Sequence, residues 1–454
     1  LDKKRTNKRM KDNQFISFFE EYKPLINNNS NVILNAFREE AFDTFLRLGF
    51  SSKNADFYRF LDLQSLFAAD YGMNINRLKP TFSPYQKFHC DVPGINSWLY
   101  YVVNDVFVDA LKSDLPKGVL ICGLKQAAEC YPELLKKYYG KSVDTKNDGV
   151  LAFNMSFVQD GFFMYVPEGV VVEKPIQLVN ILTGNRSLLA NSHNVIVVEK
   201  GAKVKLVVCD HTMDKGVDFL ANRVTEVFIA EDAEYDHYKV ESTTPTTNNI
   251  CTLIVNQSEN SNVITNIITL HNGISRNNVE VNLCGEGANT TLCGMFIGGK
   301  NQYSDNATSI LHHVPSCKSK ELFKYILDDN ARGNFLGRIQ VAEGALKTEA
   351  YQTNRNICLT KDARMYTKPQ LEIYNDDVKC SHGATIGQLD ESAMFYMRSR
   401  GIPEKEARLL LMSAFATDVL DNIRIEGLKD RIRLLIEKRL RGSGSYCEGC
   451  VICK

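Results

Sequence analysis

The sequence predicts a mainly β protein with flanking α-helices, its centre wound as a solenoid of stacked strands. Two observations carry that prediction. From about Gly149, long amphipathic stretches give way to short runs rich in Val, Ile and Thr, residues that favour a pleated surface. A small turn also recurs: Glu-Lys-Gly-Ala (199–202), Ala-Glu-Asp-Ala (230–233), Gly-Glu-Gly-Ala (285–288) and Ala-Glu-Gly-Ala (342–345), each followed by another β-type run. A repeated corner with alanine at a fixed place beyond it suits strands stacked turn upon turn. The spacing of these corners is irregular, and a large β-sandwich is the rival arrangement.

Four segments follow from the pattern. Residues 1–148 read as a mainly helical domain. Phe15, Phe18, Phe19 and Tyr22 fall at helical spacing, and Leu34, Phe37, Ala41, Phe45 and Leu48 trace one face of a helix that stops at Gly49. The run 97–111 has no clear period. Residues 124–139 are helix-like, with Gly140 as their stop. Residues 149–386 form the β core, with strict alternation in places, as in Val279-Glu-Val281-Asn-Leu283. Residues 387–441 form a C-terminal helical domain. There Asp390 caps one helix, Gly401 ends it and Pro403 opens the next. Ala407, Leu410, Leu411, Ala414, Phe415 and Val419 make one apolar stripe, and Leu428, Ile432, Leu435, Ile436 and Leu440 make another. Residues 442–454 read as a flexible, cysteine-bearing tail.

At 454 residues the chain exceeds one ordinary compact core, which suits several domains or an elongated solenoid. Lys+Arg and Asp+Glu balance at 54 each, so no net field recruits nucleic acid or a membrane surface. No apolar run reaches bilayer length. The basic start (Lys3, Lys4, Arg5, Lys8, Arg9, Lys11) lacks the apolar segment of a secretory signal. Thirteen cysteines, an odd number and mostly without fixed spacing, suit reduced thiols in a cytoplasmic setting. Cys209, Cys251, Cys284 and Cys293 read as small buried apolar residues.

Several motifs carry residue types suited to chemistry. Gly294-Met-Phe-Ile-Gly-Gly299-Lys300 has the frame of a phosphate-binding loop, but Asn301 stands where Ser/Thr would hold Mg²⁺, and strands surround it. No intrinsic ATP site is expected, and no catalytic residue set can be assembled from spacing. His312, His313 and Cys317 are metal-ligand types, but adjacent strand residues face opposite ways, which favours a hydrogen-bonded strand end. Cys380 and His382 are two apart, so on a strand they share a face and together offer a soft and a borderline ligand. Two ligands do not complete a site, so the others must come from elsewhere, or the pair merely closes a turn. Cys447, Cys450 and Cys453 resemble part of an iron–sulfur ligand run, which needs four ligands. They read equally as metal or sulfur ligands on a tether and as adventitious thiols.

The run LEIYNDDVKCSHGATIGQLDESAMFYMRSRGIPEKEARLLLMSAF (371–415) resembles the C-terminal signature of the SufD family of iron–sulfur cluster assembly. Further matches are Leu115-Pro-Lys-Gly-Val, Tyr131-Pro-Glu-Leu, Tyr165-Val-Pro-Glu-Gly-Val, His312 ahead of Pro315, and 333–338. Asp56-Phe-Tyr-Arg59 departs from the family pattern. SufB is the nearest confusable family, and the intact Lys-Cys-Ser-His-Gly-Ala-Thr run favours SufD. The resemblance implies a central right-handed parallel β-helix between helical domains. It implies a non-enzymatic scaffold subunit pairing with a SufB-like paralogue and docking a SufC-like ATPase, the complex holding a transient, nascent iron–sulfur cluster. The family's functional histidine maps onto His382 and its neighbouring cysteine onto Cys380, at the interface with SufB. The helices after Asp390 map onto the SufC dock, with Phe395, Leu410, Leu411 and Phe415 as the apolar contacts. A homodimer through the same open edge is the expectation for an isolated chain. The alternatives are a purely structural partner of SufB and a β-helix carbohydrate-active protein, which would need secretion and clustered acids.

Overall fold

The computed structural model describes residues 14–52, 57–87, 95–109 and 114–442. Its long strands run from Ile176–Leu182 to Val378–Gly387, and each pairs in parallel with the strand two places before or after it. Successive strands alternate between two ten-stranded sheets, so the chain winds as a parallel β-solenoid of about eight turns, and the sandwich is excluded.

The recurring turn has a plain physical basis. Its fourth residue donates its N–H back to the first, from Ala202 to Glu199 at 3.0 Å and from Ala345 to Ala342 at 3.1 Å. The third residue is left-handed, with φ of 66° at Gly201, 57° at Asp232, 53° at Asn260, 75° at Gly287 and 84° at Gly344. That explains why glycine, Asn or Asp recurs there. Alanine follows because Ala202, Ala233, Ala288 and Ala345 are wholly buried where the two sheets meet. Consecutive corners also bond to one another, as Asp232 N–H does to Glu259 O at 2.9 Å.

Alternation along each strand separates a lumen core from those on the outer faces. Inward residues such as Leu206, Tyr235, Phe323, Phe335 and Ile339 fill the lumen. The outer face of the sheet containing Val378–Gly387 (Val240, Ile268, Met295, Ile326) is covered by Met412, Ala416, Val419, Ile432 and Ile436 of the C-terminal helices. The other sheet presents Leu189, Leu220 and Ile250 to an aromatic nest of Phe15, Phe19, Phe45, Phe153 and Phe157 from the N-terminal helices.

Sheet formation starts before residue 149. Trp98–Val103 and Leu120–Gly123 head the two sheets, the first beside the antiparallel strand Val106–Val108 and the second antiparallel to Phe162–Val166. The stretch 97–111, without period in the sequence, supplies that first strand pair. Conversely, Gly149–Phe157 is a helix capped by the Asp148 carboxylate, which accepts from the N–H groups of Val150 and Leu151. Nearly every residue of it is buried, so the amphipathic signal of a surface helix is missing. Gly149 must be glycine: a Cβ there would lie 1.7 Å from Gly49 O. The predicted helix 34–48 is two helices, Val32–Asn35 and Arg38–Leu48, and 124–139 is likewise split at Pro132. Buried Arg38 ties the second of these to the core, donating to Asn35 Oδ1 at 2.8 Å, Val158 O at 2.8 Å and Ser156 O. Among the described residues no helix is long and apolar enough to cross a membrane.

Candidate functional site

The two ends of the solenoid differ. Its start is made of short antiparallel strands, Val106–Val108 and Leu120–Gly123, with the helices Leu124–Cys130 and Pro132–Tyr138 packed on an outer sheet face beside them. At its end, Arg364–Ile373 and Val378–Gly387 each have one neighbouring strand only, among the described residues. Their outer edges therefore present unpaired backbone donors and acceptors, the usual template for adding a strand. Pro369, which cannot donate to a ladder, sits in the middle of one of these edge strands, where a proline is tolerated. Large apolar side chains are exposed around this end: Tyr351, Tyr366, Ile373, Tyr374 and Ile386.

Cys380 and His382 both lie on the terminal strand Val378–Gly387, in register with Ala350 and Gln352. Their Cα atoms are about 6.6 Å apart along an extended strand. Val378 and Cys380 pack against the lumen core, so His382, two residues on, belongs to the lumen face where it opens to solvent. The strand does bring the two side chains to one face. Cys380 is half-buried and burial pushes its thiol above the usual range, opposed by a hydrogen bond from the Ala350 backbone. A thiol so placed is a weak nucleophile until a metal displaces its proton. His382 is exposed. Among the described residues no group of three or more His, Cys, Asp or Glu gathers as a metal cage.

Other sequence candidates resolve differently. His312 and His313 face opposite ways: His312 is buried, bonds Ser319 Oγ at 2.9 Å and is held down to about 4 by burial, with His313 adding to the effect. His313 is exposed and meets Asn282 Oδ1 at 3.2 Å. Cys317 donates to Gly285 O at 3.3 Å, its thiol pushed up to about 11 by burial. This is a strand end secured by hydrogen bonds. The glycine-rich frame at 294–300 is strand and corner, followed by the strand Tyr303–His312 rather than a helix. Cys209 and Cys293 are buried as expected and Cys251 is partly buried, but Cys284 is exposed, where the sequence reading buried it. Cys447, Cys450 and Cys453 lie outside the described residues.

The C-terminal helices divide in two. Glu391–Ser399 buries none of its residues and leaves Phe395 75% and Tyr396 60% exposed. Glu404–Leu420 buries Ala407, Leu409, Met412, Ala416, Val419 and Leu420. Its inward face is thus offset from the stripe predicted through Leu410 and Ala414, which point outward. Leu411 and Phe415 sit at the border, and Phe415 lies under Lys324 Nζ at 4.6 Å from the ring centroid. What sequence reasoning missed are the lumen neighbours of His382, Gln352 and Glu321. Only the strand register reveals them, because neither lies in a motif.

Two family descriptions match the chain: the SufBD core domain of SUF-system FeS cluster assembly over residues 180–415, and the SufBD protein N-terminal region over 9–178. The chain is similar to an iron–sulfur cluster assembly SufBD family protein of Synechocystis, at 28% identity covering 91% of this chain and 93% of the relative. It is 32% identical to the iron–sulfur cluster assembly protein SufD of Escherichia coli over 63% of this chain and 68% of that one. It is 28% identical to SufD of Bacillus subtilis over 72% and 75%.

Proposed function

Because the chain belongs to the SufBD family of iron–sulfur cluster assembly proteins, we propose that it is the SufD-like scaffold subunit of a SufB–SufC–SufD complex. In this reading it catalyses no reaction of its own. It offers the open end of its solenoid to a SufB-like paralogue, and His382, assisted by Cys380, supplies one subunit's share of the ligands to a nascent cluster. The observation that carries the reading is the open end itself. The last two strands lack outer partners, five large apolar side chains are exposed around them, and a soft–borderline ligand pair, Cys380 and His382, stands there on one face. A thiol and an imidazole suit iron and sulfide, and a ligand set divided between subunits accounts for there being only two.

The exposed Phe395, Tyr396 and Leu410 of the C-terminal helices offer apolar contacts to a SufC-like ATPase. The Cys447/Cys450/Cys453 tail would carry sulfur or iron toward Cys380 and His382, and truncation after Arg441 tests that role. For the main reading, the chain is co-expressed with its SufB-like and SufC-like partners, with His382→Ala compared to wild type. The complex is expected to assemble but to lose its cluster absorbance and iron. A variant complex that accumulates cluster normally would remove His382 from the mechanism.

A further inference from the structure

A short column of three polar side chains in the lumen ends at the open face. Glu321, on the strand Lys318–Leu327, stands in register with Gln352 on Thr348–Cys358, and Gln352 stands in register with His382. All three belong to the lumen face of the same sheet, as their neighbours Phe323, Ala350 and Cys380 do. In-register side chains on adjacent parallel strands lie about 4.8 Å apart, within reach of one another.

The interior of a solenoid is a costly place for such groups, and the column is only half satisfied. Glu321 and Gln352 are each 1% exposed. Gln352 Nε2 donates to Glu321 Oε2 at 2.6 Å. The carboxylate accepts from the amide nitrogen, which leaves the amide's carbonyl oxygen to be met by another group. That oxygen has no hydrogen-bond partner. The next side chain along the column is the His382 imidazole, which makes no hydrogen bond among the described residues. Room for the amide is provided from the facing sheet by Gly337, where a Cβ would lie 2.5 Å from Gln352 Nε2. A buried acceptor without a partner costs of order 1–3 kcal/mol, so its retention beside an imidazole asks for an explanation.

We propose that Gln352 is the positioning residue of His382: its amide, anchored by Glu321, offers its carbonyl oxygen to one imidazole N–H and turns the other ring nitrogen, lone pair outward, to the open end. Metal-binding imidazoles commonly donate their second N–H in this way, which fixes both tautomer and ring orientation. The consequence for cluster assembly rests on the reading of His382 as a ligand. The hydrogen bond itself does not.

The test uses the full chain with ¹⁵N-labelled histidine, observed by long-range ¹H–¹⁵N correlation at a pH where the imidazole is neutral. The His382 signal is assigned by its loss in His382→Asn. Wild type is expected to show one tautomer, and Gln352→Met the mixture of a free imidazole. Should Gln352→Met not fold, Gln352→Asn, too short to span Glu321 and His382, gives the same reading. The exchanged pair Glu321→Gln with Gln352→Glu keeps one amide and one carboxyl in the column and is expected to restore the single tautomer. The same tautomer ratio in wild type and in Gln352→Met or Gln352→Asn would overturn the proposal. Ferrous-iron uptake by the assembled complex is read separately. If His382→Asn leaves it unchanged while the tautomer depends on Gln352, the ligand reading fails and the hydrogen bond stands.

Discussion

Arg276 and Asp305 form an ion pair of 2.7 Å in which both side chains are fully buried. It joins adjacent strands under the N-terminal region, where Arg276 also donates to Phe57 O at 2.7 Å and lies over the Phe57 and Tyr58 rings. Breaking such a pair from one side leaves a charge stranded in the interior. Arg276→Met is expected to cost about 3–5 kcal/mol in chemical denaturation, and adding Asp305→Leu to recover most of that loss. A single variant as stable as wild type would show the pair to be idle.

Glu321 gives a pH signature. Burial raises its carboxyl from 4.5 to about 7. Between those values the folded chain keeps a proton that the unfolded chain releases, so stability falls as pH rises through the window. Glu321→Gln removes that fall. Its stability at pH 8, relative to its own at pH 5, should exceed the wild-type difference by about 3 kcal/mol, read from urea midpoints at the two pH values.

His312 works on the acid side. Its imidazole drops from 6.5 to about 4 on burial, so between those values the unfolded chain binds a proton that the folded chain does not. Stability from this group is therefore full above pH 6.5 and declines on acidification toward 4. His312→Asn is expected to flatten the acid limb of the stability profile by up to about 3 kcal/mol. An unchanged slope between pH 7 and 4.5 would contradict the buried, neutral imidazole.

The solenoid corners rank themselves. Nothing lies within 4 Å of a Cβ added at Gly201 or Gly344, so alanine there meets only the left-handed backbone penalty of about 1 kcal/mol. At Gly287 the added Cβ would come to 2.5 Å from Asn260 Oδ1 on the next corner, so Gly287→Ala should cost more. Asn260→Gly is expected to be neutral or stabilising. Thermal midpoints of the four variants check the order.

Much of this architecture was legible in the residues because the repeat is local. The corner needs a left-handed third residue and a small fourth one, and the chain writes both at Gly201-Ala202, Asp232-Ala233, Gly287-Ala288 and Gly344-Ala345. The terminal pair was legible too, since a spacing of two places Cys380 and His382 on one face of any strand. What escaped depends on contacts distant in sequence. Gly149–Phe157 is a helix buried on all sides, so it carries no stripe to mark it. Trp98–Val103 becomes a strand through pairing with Ile176–Leu182, far downstream. Leu410 and Ala414 complete an apolar stripe at helical spacing on Glu404–Leu420, yet Met412 and Ala416 are the residues that face the sheet. Gln352 and Glu321 acquire meaning only from the register that stacks them beneath His382.

The asymmetry between the two ends of the solenoid sets an order in time. As the chain leaves the ribosome, the first turns are available to fold first, and each later turn pairs with the strands before it. Every unfinished intermediate exposes a different, temporary edge, and none of these bears Cys380 and His382. The edge that carries both side chains exists only once the last turn is laid.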